Sequence, residues 1–280
     1  MEESSVFEWF DLTEKASAPL IVFIHVPKTT GSTVNAYLKR SGARGASHVE
    51  AWIDDSTITA AKLLELDWVS GHVPFSKMLA RIRAQSSRPV LPFTLLRDPI
   101  KQLISHYNWL IEIYHRRGRF YEGHPDHIKE ISESIRKSDN TNPAQVITQL
   151  KAFSRLFLNQ QSRIVLSSHS KTLTNAEFTE GLKAYEMVAT EGQFSHLIYQ
   201  MTGRAEIGRI RKNVSKYHFD PSVFESAELR AFLAENHAAD IALYRYVVER
   251  NKELYPMTNT LQRTSWLRAG WHRAGNRGAI

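Results

Sequence analysis

The stretch from Leu20 to Arg40 constrains the fold most strongly, because it joins a buried strand directly to a helix. An apolar run rich in β-branched residues ends at Pro27, and Lys28, a glycine and several hydroxyl residues precede the helix-forming segment that starts at Val34. Such a turn directs unpaired backbone N–H groups out of a helix N-terminus, where the helix dipole also favours negative charge. The sequence therefore predicts an anion-binding loop suited to a nucleotide.

The spacing of this loop distinguishes two classes of nucleotide site. In the P-loop of ATPases and GTPases, G-x-x-x-x-G-K-S/T, the lysine directly follows a glycine. Here Lys28 precedes Gly31 by three residues, and no glycine lies between Leu20 and Thr30. The segment resembles instead the P-K-T-G-G-T/S loop of sulfotransferases that use 3′-phosphoadenosine-5′-phosphosulfate (PAPS), specifically the carbohydrate, heparan sulfate 2-O-sulfotransferase-like branch (sulfotransferase family 2).

This resemblance implies that the loop holds the 5′-phosphosulfate and that its lysine contacts the leaving phosphate oxygen. Thr30 stands where the family usually has its first glycine, so a position with positive φ would be strained in this chain. The residues implied to bind the donor here are Lys28, Thr29, Thr30, Gly31, Ser32 and Thr33.

A second strand-to-helix junction follows at Arg97. Val90 to Leu96 predicts a strand, with Pro92 near its start or at an edge. Asp98 and Pro99 are typical of the N-cap and first residue of a helix, and apolar residues then recur with helical spacing. The motif L-L-R-D-P-x-x-x-x-x-S-x-Y resembles the family's 3′-phosphate site, which implies that Arg97 and Ser105 bind that phosphate. Taken alone, Arg97 is also compatible with a salt bridge to Asp98 or another acid at the edge of the core.

His72 is the candidate general base. It follows a short predicted strand, Asp67 to Ser70, and so lies at the edge of a parallel sheet where ligands gather. Imidazole titrates near neutral pH and can accept a hydroxyl proton. The stretch G-H-V-x-F resembles that of the 2-O-sulfotransferases, although Ser70 replaces a second histidine of the family pattern. His25, inside the first strand, is expected to be structural, and the role of His106 stays open.

The basic stretch Arg209 to Lys216 has two interpretations. It resembles the loop that folds over the nucleotide in the sulfotransferases, which implies that Arg211, Asn213 and Ser215 reach the adenine or the 3′-phosphate. A solvated basic loop is an equally good interpretation.

Composition limits the remaining classes. The chain has 280 residues, is 42% hydrophobic and lacks cysteine, so it can form one large domain but neither a disulfide nor a thiolate metal site. No apolar run reaches the length of a membrane span and the acidic N-terminus is unlike a signal peptide, so we expect a cytoplasmic protein. Four arginines after Glu253 contribute +4 of the net charge of +7, which leaves a modest excess for binding a polyanion.

The order of the patterns predicts an α/β fold, with a P-loop NTPase-like central parallel sheet flanked by helices. We expect a lead-in over residues 1–18, one sulfotransferase domain over 19–255 and a basic tail over 256–280. Within the domain, 116–142 is expected to be an insertion or lid with one helix (127–137). Further helices are expected to start at Asn142-Pro143 and at Asn175, and a strand over Tyr185 to Thr190. The final helix, from Leu229 to Val248, is expected to present Asn236 and Asp240 on one face as a structural pair that fixes a loop.

The expected reaction is in-line transfer of a sulfuryl group from PAPS to an acceptor hydroxyl, most plausibly on a carbohydrate, with Lys28 and His72 as the catalytic residues and no metal. Two alternatives remain at this stage. One is a P-loop kinase-like phosphotransferase that uses ATP and Mg²⁺. The other is a non-catalytic protein that binds nucleic acid or an acidic glycan through its basic tail. The patterns do not identify the acceptor.

Overall fold

Five parallel strands form the centre of the structure, a computed structural model that describes residues 18–204 and 216–254. Their order across the sheet is β2-β3-β1-β4-β5, and every neighbouring pair is parallel. This arrangement confirms the expected α/β class with a central parallel sheet. The strands are β1 (Leu20–Ile24), β2 (Gly45–Ser47), β3 (Trp68–Gly71), β4 (Val90–Leu96) and β5 (Met187–Thr190).

Helices connect the strands and surround the sheet. In chain order they are α1 (Gly31–Arg40), α2 (Glu50–Asp54), α3 (Ala60–Glu65), α4 (Phe75–Arg83), α5 (Pro99–Arg116), α6 (Gly118–Glu122), α7 (Asp126–Lys137), α8 (Pro143–Ala152), α9 (Ser154–Phe157), α10 (Gln160–Val165), α11 (Asn175–Leu182), α12 (Phe194–Thr202), α13 (Ala227–Asn236) and α14 (Ala238–Leu254), with 3₁₀ turns at Glu191–Gln193 and Pro221–Glu225. In this part of the chain, no helix has the length and apolarity that a membrane span requires.

Both faces of the sheet are covered, as a continuous apolar strand requires. All five residues of β1 are buried. Leu20, Val22 and Ile24 point to one face, where α4, α10, α11 and α14 pack, and Ile21 and Phe23 point to the other, where α1 and α12 pack. A third apolar cluster joins α5, α7, α8 and α13 beside the sheet.

The strand order creates a crevice between β1 and β4. The connection from β1 leads to β2 at one edge of the sheet, whereas the connection from β4 leads to β5 at the opposite edge. Loops that leave adjacent parallel strands in opposite directions open a space at the carboxyl ends of those strands, and ligands of α/β proteins bind there. The loops that begin at His25 and Arg97 flank this space.

Pro92 is the third residue of β4, which is paired on both sides. Its carbonyl accepts a hydrogen bond from the N–H of Glu186, just before β5 begins. In a parallel strand the N–H and C=O of one residue point to the same side, so the donor that proline lacks would face the chain before β5. Pro92 therefore lies where the β4–β5 ladder starts, as the sequence predicts for a proline near a strand start.

Two helical predictions differ in detail from the structure. The helix expected over 127–137 is present as α7, and a short helix, α6, precedes it. Rather than forming a loose lid, α7 packs on α5, where Ser132 Oγ donates to the carbonyl of Leu110 at 2.5 Å and Ile135 is buried. The prediction of a single C-terminal helix from Leu229 to Val248 was wrong. Helix α13 ends at Asn236 and α14 begins at Ala238; between them, the ring Nδ1 of His237 accepts the N–H of Asn159.

The pair Asn236 and Asp240 fixes the segment that leads into α10, as expected. Asp240 is fully buried, and its two carboxylate oxygens accept the N–H groups of Gln161 and Ser162 at 2.9 and 2.7 Å. The carbonyl of Asn236 accepts from the side-chain amide of Asn159. A carboxylate at the N-terminus of a helix satisfies unpaired donors and favours the helix dipole. This contact fixes the position of α10 relative to the sheet.

Asp240→Ala is expected to lower the free energy of unfolding by about 3 kcal/mol or more, because two buried N–H groups lose a charged acceptor. Glu249→Ala is the matched control on the same helix, since Glu249 is largely exposed and pairs with the equally exposed Lys252. Urea unfolding followed by circular dichroism measures both. Equal, small losses for the two variants would contradict the structural role of Asp240.

Candidate anion-binding site

The loop after β1 is held in a tight conformation by hydrogen bonds within it and within the first turn of α1. Thr29 is fully buried, and its hydroxyl donates to the carbonyl of Val26 at 2.8 Å. Lys28 and Thr30 both have positive φ, 65° and 73°. Thr30 is the N-cap of α1, and its carbonyl accepts the N–H of Thr33. The loop thus brings the first amides of α1 to the carboxyl end of β1, and the hydroxyl of Thr29 is used within the loop.

Gly31 is required by the packing of His25. A Cβ at position 31 would lie 1.9 Å from His25 Cδ2 and 2.1 Å from Nε2. His25 itself is 3% exposed, and burial holds its pKa well below the ordinary value, with His72 and His48 lowering it further. It is therefore a neutral core residue, as the sequence predicts. The close contact between this ring and the glycine sets the start of α1 against the end of β1.

Lys28 is half-buried, and its pKa responds to one acidic and two basic neighbours. Burial lowers the pKa of Lys28, and the nearby Arg97 and Arg116 lower it as well, whereas Glu112 raises it. Among residues 18–204 and 216–254, no carboxylate forms an ion pair with its ammonium group. A partly desolvated lysine beside two arginines favours an anion, because a bound negative charge offsets both the desolvation and the repulsion.

Arg97 joins the loops that follow β1 and β4. Its Nη1 donates to the carbonyl of Lys28 at 3.2 Å, and its Nε lies 3.2 Å from Glu191 Oε1. The contact with Glu191 is an ion pair without good hydrogen-bond alignment, because Nε has no acceptor within bonding geometry. Nη2 makes no hydrogen bond to the described part of the chain. Arg97 is thus both a structural cross-link at the crevice and a guanidinium with a donor left for a ligand.

Glutamine side chains hold the loops after β1 and β4 in place. Gln161, from α10, accepts the backbone N–H of Arg97 at 3.1 Å and donates to its carbonyl at 2.9 Å. Gln102, from α5, donates to the carbonyl of Pro27 at 2.9 Å and to Gln160 Oε1 at 2.8 Å. Gln160 and Gln161 both lie on α10, which Asp240 fixes. The buried carboxylate of Asp240 therefore supports the loops after β1 and β4.

Ser105 lies on the face of α5 that is turned toward the loop. It is half-buried and three residues after Gln102, so the two side chains share a helix face. One turn further on, Asn108 donates to the carbonyl of Lys216 at 3.0 Å and accepts the N–H of His218 at 2.8 Å. Lys216 and His218 therefore lie beside this face of α5. The predicted ligands Arg211, Asn213 and Ser215 lie outside the described residues.

His72 lies at the carboxyl end of β3, next to β1, and so on the predicted edge of the sheet. Its Nδ1 is 2.7 Å from the carbonyl of His25, and its backbone N–H donates to Glu50 Oε1 at 2.6 Å. Since a carbonyl only accepts, Nδ1 carries the proton and Nε2 keeps a lone pair. Burial lowers the pKa of His72, although the bond to His25 and the charge of Glu50 oppose this shift. The neutral ring can accept a proton at Nε2.

His106, left open by the sequence, is a core residue. It is 3% exposed and lies near the rings of Trp109 and Phe157. Burial is the main cause that lowers its pKa to about 3, and Lys28 and His72 lower it further.

Several site residues had no motif to reveal them. The side chains that surround or support the loops but were not predicted are Glu50, Gln102, Glu112, Arg116, Gln160, Gln161 and Glu191. Strand β2 was also missed, and with it His48, which directly follows it. One sequence pattern could have revealed β2 and His48. A His-Val pair follows each of three short apolar or small-residue stretches, at His25, His48 and His72.

A separate basic cavity of about 390 Å³ lies at α10. No acidic side chain lines it within the described residues. The cationic or titratable groups that line it are Lys151, Arg155, Arg163, His169 and Lys171. Arg163 lies on the same helix as Gln161, which binds the Arg97 backbone, so the cavity and the anion loop share a supporting element.

No protein-family model matches this chain, and no curated protein is significantly similar to it. The fold and the site together define an α/β protein with a five-stranded parallel sheet and a cationic crevice at the carboxyl ends of β1 and β4.

Thr30→Gly is expected to raise the free energy of unfolding by about 1 kcal/mol, because glycine removes the strain of a β-branched residue at positive φ. Thr59→Gly provides the matched control, since Thr59 is also an N-cap but has φ of −123° and accepts the N–H of Lys62. That control should lose stability slightly. Urea unfolding measures both, and a loss at position 30 would argue against the left-handed conformation.

Proposed function

We propose that this protein is a PAPS-dependent sulfotransferase with a P-loop-like fold. The proposal rests chiefly on one observation, the direct contact between Arg97 and the carbonyl of Lys28 at the crevice. The two sequence motifs are 69 residues apart, yet they meet where α/β proteins bind their ligands. A donor with a phosphosulfate at one end and a 3′-phosphate at the other requires two neighbouring cationic sites of this kind.

The loop after β1 and the residue Arg97 each suit one end of the donor. The loop amides and Lys28 suit the 5′-phosphosulfate, because unpaired N–H groups and a partly desolvated ammonium favour charge on its oxygens. Arg97 suits the 3′-phosphate, since a guanidinium binds phosphate oxygens with directed hydrogen bonds. Ser105 adds a hydroxyl donor from α5. Glu191 pairs with Nε of Arg97, and a phosphate dianion at Nη2 would share the guanidinium with it.

The transfer step needs one base and one leaving group. The acceptor oxygen attacks sulfur as the bond between sulfur and the 5′-phosphate oxygen breaks, and 3′,5′-ADP departs. Lys28 stabilises the negative charge that grows on the bridging oxygen. The acceptor proton goes to Nε2 of His72, whose Nδ1 is held by the His25 carbonyl. A positioned base of this kind contributes about 10²–10⁴-fold to the rate.

We infer the acceptor class from charge. Two lysines and two arginines line the basic cavity: Lys151, Arg155, Arg163 and Lys171. Such a surface favours an acceptor with negative groups, for which an acidic carbohydrate is the natural candidate. The alternative that a basic tail binds polyanions concerns residues outside the described part of the chain.

Binding of 3′,5′-ADP tests the donor site directly. Lys28→Ala and Arg97→Ala should each weaken binding at least about tenfold, because each removes a charged hydrogen bond worth roughly 1.5–3 kcal/mol. Lys39→Ala and Lys101→Ala are the controls, since both lysines are exposed on the helices that follow the same two loops. Calorimetric titration gives the affinities. Tighter binding of ATP–Mg²⁺ than of 3′,5′-ADP would favour a kinase instead.

Arg97→Ala also removes the bond to Lys28, so a loss of structure must be separated from a loss of binding. Arg97→Lys keeps the charge without the planar fork. It should keep the unfolding midpoint within the range of the controls and still bind 3′,5′-ADP more weakly. Unchanged affinity in both variants would refute the phosphate assignment.

His72→Ala tests the base. The variant should bind 3′,5′-ADP normally but transfer sulfate from labelled PAPS about 10²–10⁴-fold more slowly. His127→Ala, an exposed histidine on α7, is the control and should leave the rate unchanged. A panel of acidic and neutral carbohydrates and small phenols supplies the acceptors. Normal transfer by His72→Ala would remove its assigned role.

A further inference from the structure

Three neighbouring strands each end in a histidine. His25 follows β1, His72 follows β3 and His48 follows β2, and β3 lies between the other two in the sheet. Because parallel strands end at one edge, the three imidazoles lie side by side. The ring centroids are 4.1 Å apart for His25 and His72, and 5.6 Å apart for His48 and His72.

Glu50 completes a set of possible metal ligands at this edge. One ligand atom from each of His48, Glu50 and His72 lies within 4.8 Å of the other two. His48 is exposed, and Glu50 and His72 are half-buried. An ion can therefore reach the cluster from solvent, and its ligands come from two strand ends and the start of α2.

The orientation of two of these side chains suits ligation. The Nδ1–H of His72 is used by the His25 carbonyl, so the lone pair of Nε2 is available. Glu50 uses Oε1 to accept the backbone N–H of His72, which leaves Oε2. Metal-binding histidines usually donate their other ring N–H to a carbonyl or carboxylate in this way, and the bond fixes both tautomer and direction.

We propose that His48, Glu50 and His72 form a binding site for a divalent transition-metal ion, with Zn²⁺ as the best match. Two imidazole nitrogens and one carboxylate oxygen suit zinc rather than Mg²⁺ or Ca²⁺, which prefer oxygen ligands. Bonds of about 2.0–2.1 Å require the ligand atoms to approach more closely than they do here. The exposed side chain of His48 can make that movement. Three protein ligands leave a fourth position for water.

Metal binding at this site has a consequence for the proposed reaction. The ion would take the lone pair of His72 Nε2, the atom assigned to the acceptor proton. Zinc would then be a reversible inhibitor of sulfuryl transfer, released by a chelator. This consequence rests on the proposed function, whereas the metal site itself does not.

The binding experiment uses the full chain after treatment with a chelator. Zn²⁺ is titrated against a chromophoric chelator, and Co²⁺ is added separately to record its absorption spectrum. We expect one equivalent of either ion and a cobalt spectrum typical of four-coordinate nitrogen and oxygen ligands. His48→Ala should weaken zinc binding at least tenfold, and Glu50→Gln should weaken it as well. Circular dichroism verifies that both variants fold.

His115→Ala is the matched control. His115 is also exposed and adjacent to another histidine, His218, with ring centroids 4.4 Å apart, but it lies outside the cluster. Its substitution should leave the zinc affinity unchanged. The proposal is overturned if the folded protein binds no stoichiometric zinc, or if His115→Ala removes the ion and His48→Ala does not.

A second measurement separates this site from the proposed activity. If the protein transfers sulfate, saturating Zn²⁺ should abolish transfer and a chelator should restore it. Stoichiometric zinc bound through His48 with undiminished transfer would support the metal site and overturn the assignment of His72 as base. Stoichiometric zinc in a protein that shows no transfer at all would support the metal site and count against the proposed function alone.

Discussion

The hydrogen bond from Arg97 to the carbonyl of Lys28 is the contact on which the site depends. It joins the loops after β1 and β4, which otherwise leave the sheet in opposite directions. Its donor is held in turn by Gln161, which bonds both the N–H and the C=O of Arg97. The buried carboxylate of Asp240 fixes the helix that carries this glutamine. A chain of polar contacts therefore runs from α14 through α10 to the cationic crevice.

The electrostatics of the crevice and of the histidine cluster differ in kind. Lys28 and Arg97 are positively charged groups held close together, so an anion relieves their mutual repulsion. His25 and His72 are neutral, because burial penalises their charged forms. They offer lone pairs rather than charge. A proton or a metal ion competes for the same atom of His72, and this competition links the proposed base to the proposed metal site.

Local chemistry made several elements predictable. Asp98 and Pro99 begin α5 as N-cap and first residue, and Asn142-Pro143 begin α8 in the same way. Thr30 was expected to be strained if its position required positive φ, and its φ of 73° meets that condition. The elements that were missed have weak local patterns. Strand β2 contains only glycine, alanine and serine and is paired along one side, so its existence depends on its neighbour β3. His237, where the predicted helix is divided in two, likewise bonds a residue distant in sequence, Asn159.

The sequence by itself determined the α/β class, the two strand-to-helix junctions and the residue types at each, because strand periodicity, capping residues and turn chemistry act over a few neighbouring positions. Only the tertiary structure decided which strands are adjacent. That order places Arg97 on the Lys28 carbonyl, aligns three histidines along one edge and brings Glu50 to His72. These contacts join residues far apart in the chain, and they depend on how helices pack on both faces of the sheet, which no local pattern specifies.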